Sequence, residues 1–137
     1  MEVMNEIYPS DVDSFQQRLA SGSDESVVMV NLLKFKPVAE YDHEDEPTIS
    51  GEEAYGKYIS AVKLVLPELG ARVVYEGKLT FLGIGQVEEL WDKVLLIEYP
   101  SLAALAALGA YESIQAALKH REAGLDGQLL IESKATD

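Results

Sequence analysis

The stretch VVMVNLLKF, residues 27–35, is an apolar run with one amide, Asn31, near its centre. Valine and leucine occupy both alternating sets of positions, which is typical of a β-strand covered on both faces. A buried amide without a hydrogen-bond partner costs about 1–3 kcal/mol, so Asn31 needs a partner inside the fold. That partner is either a buried backbone group or water, or a ligand in a largely apolar pocket, which makes Asn31 a candidate ligand-binding residue.

One helix is predicted before this strand and another after it. The segment before it favours a short helix over about 11–20, with Ser10 as the N-cap. After a loop, residues 50–70 open with a capping box of Ser50 and Glu53 and carry an apolar stripe at helical spacing. Pro67 should end or kink this second helix.

The rest of the chain predicts three more strands and one more helical region. Residues 71–85 and 91–99 indicate an antiparallel pair, joined by a polar turn over 86–90. A helical region runs from Ser101 to about Ala123 with an interruption at Gly109, and residues 127–133 supply the last strand.

The resulting order, after the first helix, is β-α-β-β-α-β. It predicts an α+β fold, a ferredoxin-like antiparallel sheet with both helices on one side. We expect residues 1–25 to form an N-terminal helical extension and residues 26–137 to form the ferredoxin-like domain.

The strands of this sheet are apolar on both faces, whereas two helices can cover only one of them. The second face therefore predicts a homodimer in which two sheets pack together as a dimeric α/β barrel. The aliphatic set Val28, Val30 and Leu32 is the better surface to lie under helices. On that assignment Asn31 faces the space between the two sheets.

Four strings in the chain resemble the family called Domain of Unknown Function 1330, within the dimeric α/β-barrel superfamily. They are MVNLLKF (29–35), SGEEAYGKY (50–58), WDKVLLIEYPS (91–101) and HREAGL (120–125). The resemblance implies the fold and the dimer but no particular activity, because the superfamily includes cofactor-free monooxygenases, isomerases, polyketide cyclases and haem enzymes. The first 25 residues lie outside the resemblance, and LGAYES (108–113) replaces an expected aspartate–proline turn.

Composition excludes several functions. The 137 residues fit one domain, and the net charge of −13 would repel nucleic acid. No apolar run is long enough to span a membrane and no signal peptide is present, so we expect a cytoplasmic protein. The absence of cysteine excludes thiolate catalysis and cysteine-ligated metals.

Two pairs of side chains are further candidates for ligand binding. Tyr55 and Tyr58 are three residues apart on a helix, so they face the same way, either as core packing or as ligand contacts. Trp91 and Asp92 open the third predicted strand and point to opposite faces, so only one of them can line a cavity. Trp91 would form a wall, and Asp92 would act as a general base only if it were buried.

His120 and Arg121 are the candidate catalytic residues. On an ideal helix Arg121 continues the inward stripe, whereas His120 points to the opposite side unless the helix ends early. A buried arginine needs an anionic partner, which is either a protein carboxylate or a ligand.

No metal or cofactor is predicted. EYDHEDE (40–46) fits a solvated acidic loop around His43, and GIGQVEE (83–89) lacks most of a dinucleotide fingerprint. The sequence therefore predicts a protein with a small-molecule pocket between sheet and helices. It is either a cofactor-independent enzyme of the isomerase, cyclase or monooxygenase type or a non-catalytic ligand-binding or sensing dimer.

Overall fold

A computed structural model of the chain describes residues 9–22, 24–42 and 48–136. Most of the acidic stretch that contains His43 lies outside the described residues. The elements, in chain order, are α1 (Pro9–Ala20), β1 (Val27–Phe35), α2 (Gly51–Val65), β2 (Arg72–Lys78), β3 (Lys93–Tyr99), α3 (Leu102–Leu108), α4 (Glu112–Gly124) and β4 (Leu125–Ser133).

The four strands form one antiparallel sheet in the order β2-β3-β1-β4. β1, the strand predicted from the apolar run, lies between β3 and β4 and pairs with both along most of its length. This arrangement confirms the predicted ferredoxin-like fold, with α2 and the α3–α4 region as the two crossover connections.

Helix α2 begins and ends where the sequence predicts. The Ser50 hydroxyl accepts a hydrogen bond from the Glu53 N–H at 3.0 Å, which satisfies one free donor of the first turn. The helix ends at Val65, and Leu66–Leu69 continue as a 3-10 turn that contains Pro67. Gly70 closes it with φ 69°, a left-handed conformation that glycine adopts without strain.

The face of β1 that lies under the helices is the opposite of the one predicted. Val28, Val30 and Leu32 are only half-buried, whereas the odd-numbered residues from 27 to 33 are buried. The ring of Phe35, which belongs to the odd set, packs against Tyr55 of α2. Aliphatic content misled the prediction, because the open face is the more purely aliphatic one. The buried residues of β1 and β3 on the helix-covered face are Val27, Met29, Asn31, Leu33, Leu95, Ile97 and Tyr99.

Four predicted boundaries are wrong. Strand β2 ends at Lys78, seven residues early, because its partner β3 begins only at Lys93 and residues beyond that pair have no strand to bond. Trp91 and Asp92 consequently precede β3 rather than open it. Helix α1 begins at Pro9 and strand β4 at Leu125, each two residues before the predicted start.

The sheet surface opposite the helices, which we call the open face, is apolar. The connection between β2 and β3 carries two exposed apolar side chains, Phe81 and Ile84, which are 84% and 97% exposed. Lys34 on the open face binds Glu89 of this connection at 2.6 Å. The apolar residues of the open face are Val28, Val30, Leu32, Val94, Leu96, Leu129 and Ile131.

Helices α2 and α4 approach each other closely at one end. A Cβ added to Gly51 would lie 2.6 Å from the Gly124 carbonyl oxygen and 2.2 Å from that of Lys36. Only glycine fits at this contact, which brings Arg121, one turn before Gly124, close to α2. Within the described part of the chain, no helix combines the length and apolar character that crossing a membrane requires.

Candidate functional site

A cavity of about 240 Å³ lies between the helix-covered face of the sheet and the helices; we call it the sheet–helix cavity. Its walls are mainly apolar, with Phe15 of α1 and Leu105 and Leu108 of α3 at its helical side. A small polar minority in an apolar cavity is the usual composition of a small-molecule site. Its polar lining residues are Asn31, Tyr55, Tyr58, Tyr99, Arg121 and Gln128.

Asn31, which is 6% exposed, belongs to a continuous hydrogen-bonded chain. Arg121 donates to the Gln128 side-chain oxygen, the Gln128 amide nitrogen donates to Asn31 Oδ1 at 3.0 Å, and Asn31 Nδ2 donates to the Leu95 carbonyl at 3.3 Å. Arginine can only donate, so it fixes the orientation of both amides. The partner that Asn31 requires is therefore the Leu95 backbone together with Gln128.

Arg121 lines the sheet–helix cavity, as its helical position predicts. Among the described residues no carboxylate lies within ion-pair distance of its guanidinium, whose hydrogen-bond partner is Gln128. Glu76, whose charge reaches Tyr55, is already bound by Lys63 at 2.8 Å and by Lys93 at 2.6 Å. Of the two predicted anionic partners, the described residues therefore supply no protein carboxylate.

Three tyrosines line the same cavity, and Tyr55 and Tyr99 are each only 2% exposed. None of their hydroxyls has a hydrogen-bond partner among the described residues. Burial raises the pKa of Tyr55, Tyr58 and Tyr99, while the positive charge of Arg121 opposes the rise in the pKa of Tyr55 and Tyr58. All three are therefore neutral hydrogen-bond donors at physiological pH.

His120 does not line the sheet–helix cavity. Its Nδ1 lies 2.7 Å from the Tyr41 hydroxyl, and the two rings meet edge to face. Helix α4 continues to Gly124, so it does not end early enough for the His120 ring to turn inward. The structure brings Arg121 to the cavity and leaves His120 on the other side of the helix.

Trp91 and Asp92 also lie away from this cavity. Trp91 packs over Gly127, where an added Cβ would be 3.0 Å from the indole ring. Asp92 accepts a hydrogen bond from the Phe35 N–H at 2.8 Å and lines a separate cleft of about 420 Å³ with Glu76 and Lys93. The Asp92 carboxylate therefore binds the backbone at the last residue of β1.

Sequence reasoning missed Gln128, Tyr99 and Phe15. Gln128 and Tyr99 lie in segments correctly predicted as strands, but their position beside Asn31 depends on the strand register. A polar residue on the last strand was the available signal for Gln128. Within the described ranges, no three His, Asp or Glu side chains are placed to hold a metal ion together.

The fold and the cavity define an α+β domain of the ferredoxin-like class. The chain matches the family model described as Domain of unknown function (DUF1330) over residues 45–134. The protein therefore belongs to this family, as the four sequence strings indicate.

Solved structures agree with this assignment. The chain is similar to RPA0582, a protein of unknown function from Rhodopseudomonas palustris, with 30% identity and a TM-score of 0.82 over 99% of both chains. The methylated RPA0582 protein gives a TM-score of 0.84 over 100% of this chain and 98% of that one, again with 30% identity.

A dimeric protein of unknown function and ferredoxin-like fold from Bacteroides fragilis is similar in fold alone. It has 15% identity and a TM-score of 0.53, over 80% of this chain and 96% of that one. No curated protein is significantly similar in sequence to this chain.

Proposed function

We propose that the protein is a homodimer that binds a small, partly apolar molecule in the sheet–helix cavity. The observation that carries this proposal is a set of tyrosine hydroxyls and an arginine that line one apolar cavity and have donors without an acceptor among the described residues. Since no fully buried polar side-chain atom of the described residues lacks a partner, these hydroxyls open onto the cavity, where a ligand with acceptor atoms can bind them.

The cavity chemistry favours binding over proton abstraction. Its described lining contains no histidine or carboxylate, and its tyrosines have a raised pKa. A general base works best when its pKa is near the operating pH, which these phenols do not meet. Of the two predicted functions, the non-catalytic ligand-binding or sensing protein is the better supported.

The binding proposal is tested with a fragment screen by ligand-detected NMR and two matched variants. Leu105 lines the cavity and is half-buried, so Leu105→Trp should fill the cavity with little strain on the fold. Leu64→Trp makes the same change on an 82% exposed site of α2 outside the cavity. We expect fragments to bind wild type and Leu64→Trp and to lose at least tenfold in affinity for Leu105→Trp.

Two results would contradict the proposal. One is a screen in which no fragment binds wild type. The other is equal binding to wild type and Leu105→Trp, which would place the binding site elsewhere. A turnover assay with phenolic, quinone and lactone compounds separates the two functions, since the binding protein should bind members of the panel without converting them.

The open face supports the homodimer. A sheet face this apolar requires cover, and a second copy of the same face supplies it with self-complementary two-fold symmetry. The connection between β2 and β3 exposes two further large apolar side chains, Phe81 and Ile84. The Bacteroides fragilis protein of the same fold is described as dimeric.

A further inference from the structure

The charge of Arg121 narrows the class of ligand. The bond to Gln128 uses one of the five N–H donors of the guanidinium, and the described residues supply no acceptor to the others. A half-buried cation in an apolar cavity is stabilised by an anion, and the planar guanidinium fits two carboxylate oxygens at once. The unoccupied donors of Arg121 therefore match a carboxylate.

The side chains around Arg121 hold it in position to receive that group. The Gln128 and Asn31 amides connect it to the Leu95 backbone in β3, so the guanidinium is attached to the sheet as well as to α4. Tyr55 and Tyr58 lie close enough for the charge of Arg121 to affect their pKa, and their neutral hydroxyls can donate to the same anion.

The part of the cavity beyond Arg121 limits the size and the polarity of the rest of the ligand. From Asn31 the cavity follows β1 toward Val27 and its partner Tyr99, four residues away, or about 13 Å at about 3.3 Å per residue. The walls along this path are apolar, and the volume equals that of about eight waters at about 30 Å³ each. A ligand of about eight to ten non-hydrogen atoms fits.

We infer that the sheet–helix cavity recognises a small carboxylic acid with an aromatic or branched apolar body, and that its carboxylate pairs with Arg121. This inference rests on the proposed binding function and adds the chemical class of the ligand. The apolar body lies between Ile59 and Val62 of α2 and Leu108 of α3, which line the same cavity.

The test is calorimetric titration of the full chain with matched acids and amides. Benzoate and phenylacetate carry the charge, while benzamide and phenylacetamide have nearly the same shape without it. We expect wild type to bind the acids at least tenfold more tightly than the amides. Lys57→Gln, which removes one positive charge from an exposed site of α2, should retain this preference.

Two variants change the charge at the site in different ways: one removes the cation and the other adds an anion beside it. Arg121→Gln removes the cation, and we expect the preference for acids to fall at least tenfold while amide binding persists. Gln128→Glu keeps Arg121 and places a protein carboxylate where the guanidinium already has its partner. This internal anion should compete with the ligand and weaken acid binding at least tenfold. Circular dichroism of each variant confirms that it is folded.

The possible outcomes distinguish an error in the ligand class from an error in the proposed binding function. If acids and amides bind wild type equally, or if Arg121→Gln leaves the preference intact, the ligand class is wrong but the binding function stands. If the acids fail to bind while unrelated fragments bind in the cavity, the ligand class is again wrong and the binding function again stands. If no compound binds at all, both the function and the ligand class are wrong.

Discussion

Asn31 illustrates how one buried amide connects the sheet to the cavity. Asn31→Leu keeps the side-chain size but removes the acceptor for Gln128, which leaves that amide without its partner. We expect a loss of about 1–3 kcal/mol in the free energy of unfolding, because the half-buried Gln128 amide and the carbonyl of buried Leu95 both lose a hydrogen-bond partner. Urea denaturation measures the change.

The double variant Asn31→Leu with Gln128→Leu is the control for this explanation. Replacing both amides removes both members of the pair, so the double variant should lose less stability than the sum of the two single variants. Strictly additive losses would mean that Asn31 and Gln128 act independently.

The buried tyrosines predict a loss of stability in alkali. Burial raises the pKa of Tyr55 in the folded state above about 10, the value in the unfolded chain. Below about pH 10 the phenol is protonated in both states and its contribution is fully present; above it the unfolded state loses the proton first. Between about pH 10 and 11, wild type should lose about 1 kcal/mol more unfolding free energy than Tyr55→Phe. Equal losses would show that the phenol titrates normally.

The sequence identified some residues of the site but not their arrangement. Asn31 is recognisable because an amide in an apolar run needs a partner, and Arg121 because its helical position faces inward. The face of β1 that carries Asn31 could not be determined, because both faces are apolar and only the packing of α2 distinguishes them. Gln128 was missed because cross-strand register is not encoded in local pattern.

At the scale of elements, the contact between α2 and α4 positions Arg121 beside the cavity. Gly51→Ala would force a Cβ against the carbonyls of Lys36 and Gly124, and we expect a loss of about 1–3 kcal/mol of stability. Gly56, in the same helix, has nothing within 4 Å of an added Cβ. Gly56→Ala should therefore stabilise the protein by about 0.5–1 kcal/mol through helix propensity. Thermal unfolding measures the stability of both variants. A Gly51→Ala variant as stable as wild type would contradict the close contact between α2 and α4.

The elements themselves were largely predictable. Helix α2 carries its own start and stop signals in Ser50 and Pro67, and the structure uses both. Strand β2 was predicted too long because the apolar residues after Lys78 resemble a strand. A strand also needs a partner to bond, and whether β3 reaches that far is decided by tertiary structure rather than by local sequence.

At the scale of the whole molecule, the open face predicts association. Ile131 on this face is 48% exposed, so Ile131→Glu is tolerated in a single subunit but places a charge in the proposed interface. Sedimentation at micromolar concentration should show wild type at twice the 15.0 kDa mass of the chain. Ile131→Glu should weaken the dimer at least tenfold, and Leu64→Glu on the exposed side of α2 should leave it intact. A wild-type protein that sediments as a single subunit would contradict the dimer.

The central claim is that a small molecule binds in the sheet–helix cavity. The methyl group of Met29 tests this claim most directly. Met29 lines the sheet–helix cavity and is one of three methionines in the chain, so carbon-13 labelling of methionine methyls gives a spectrum with few signals. Met29→Leu identifies its signal. Titration with phenylacetate should shift the Met29 signal to saturation at the concentration where calorimetry shows binding. An unshifted Met29 signal at saturating ligand would contradict binding in the sheet–helix cavity.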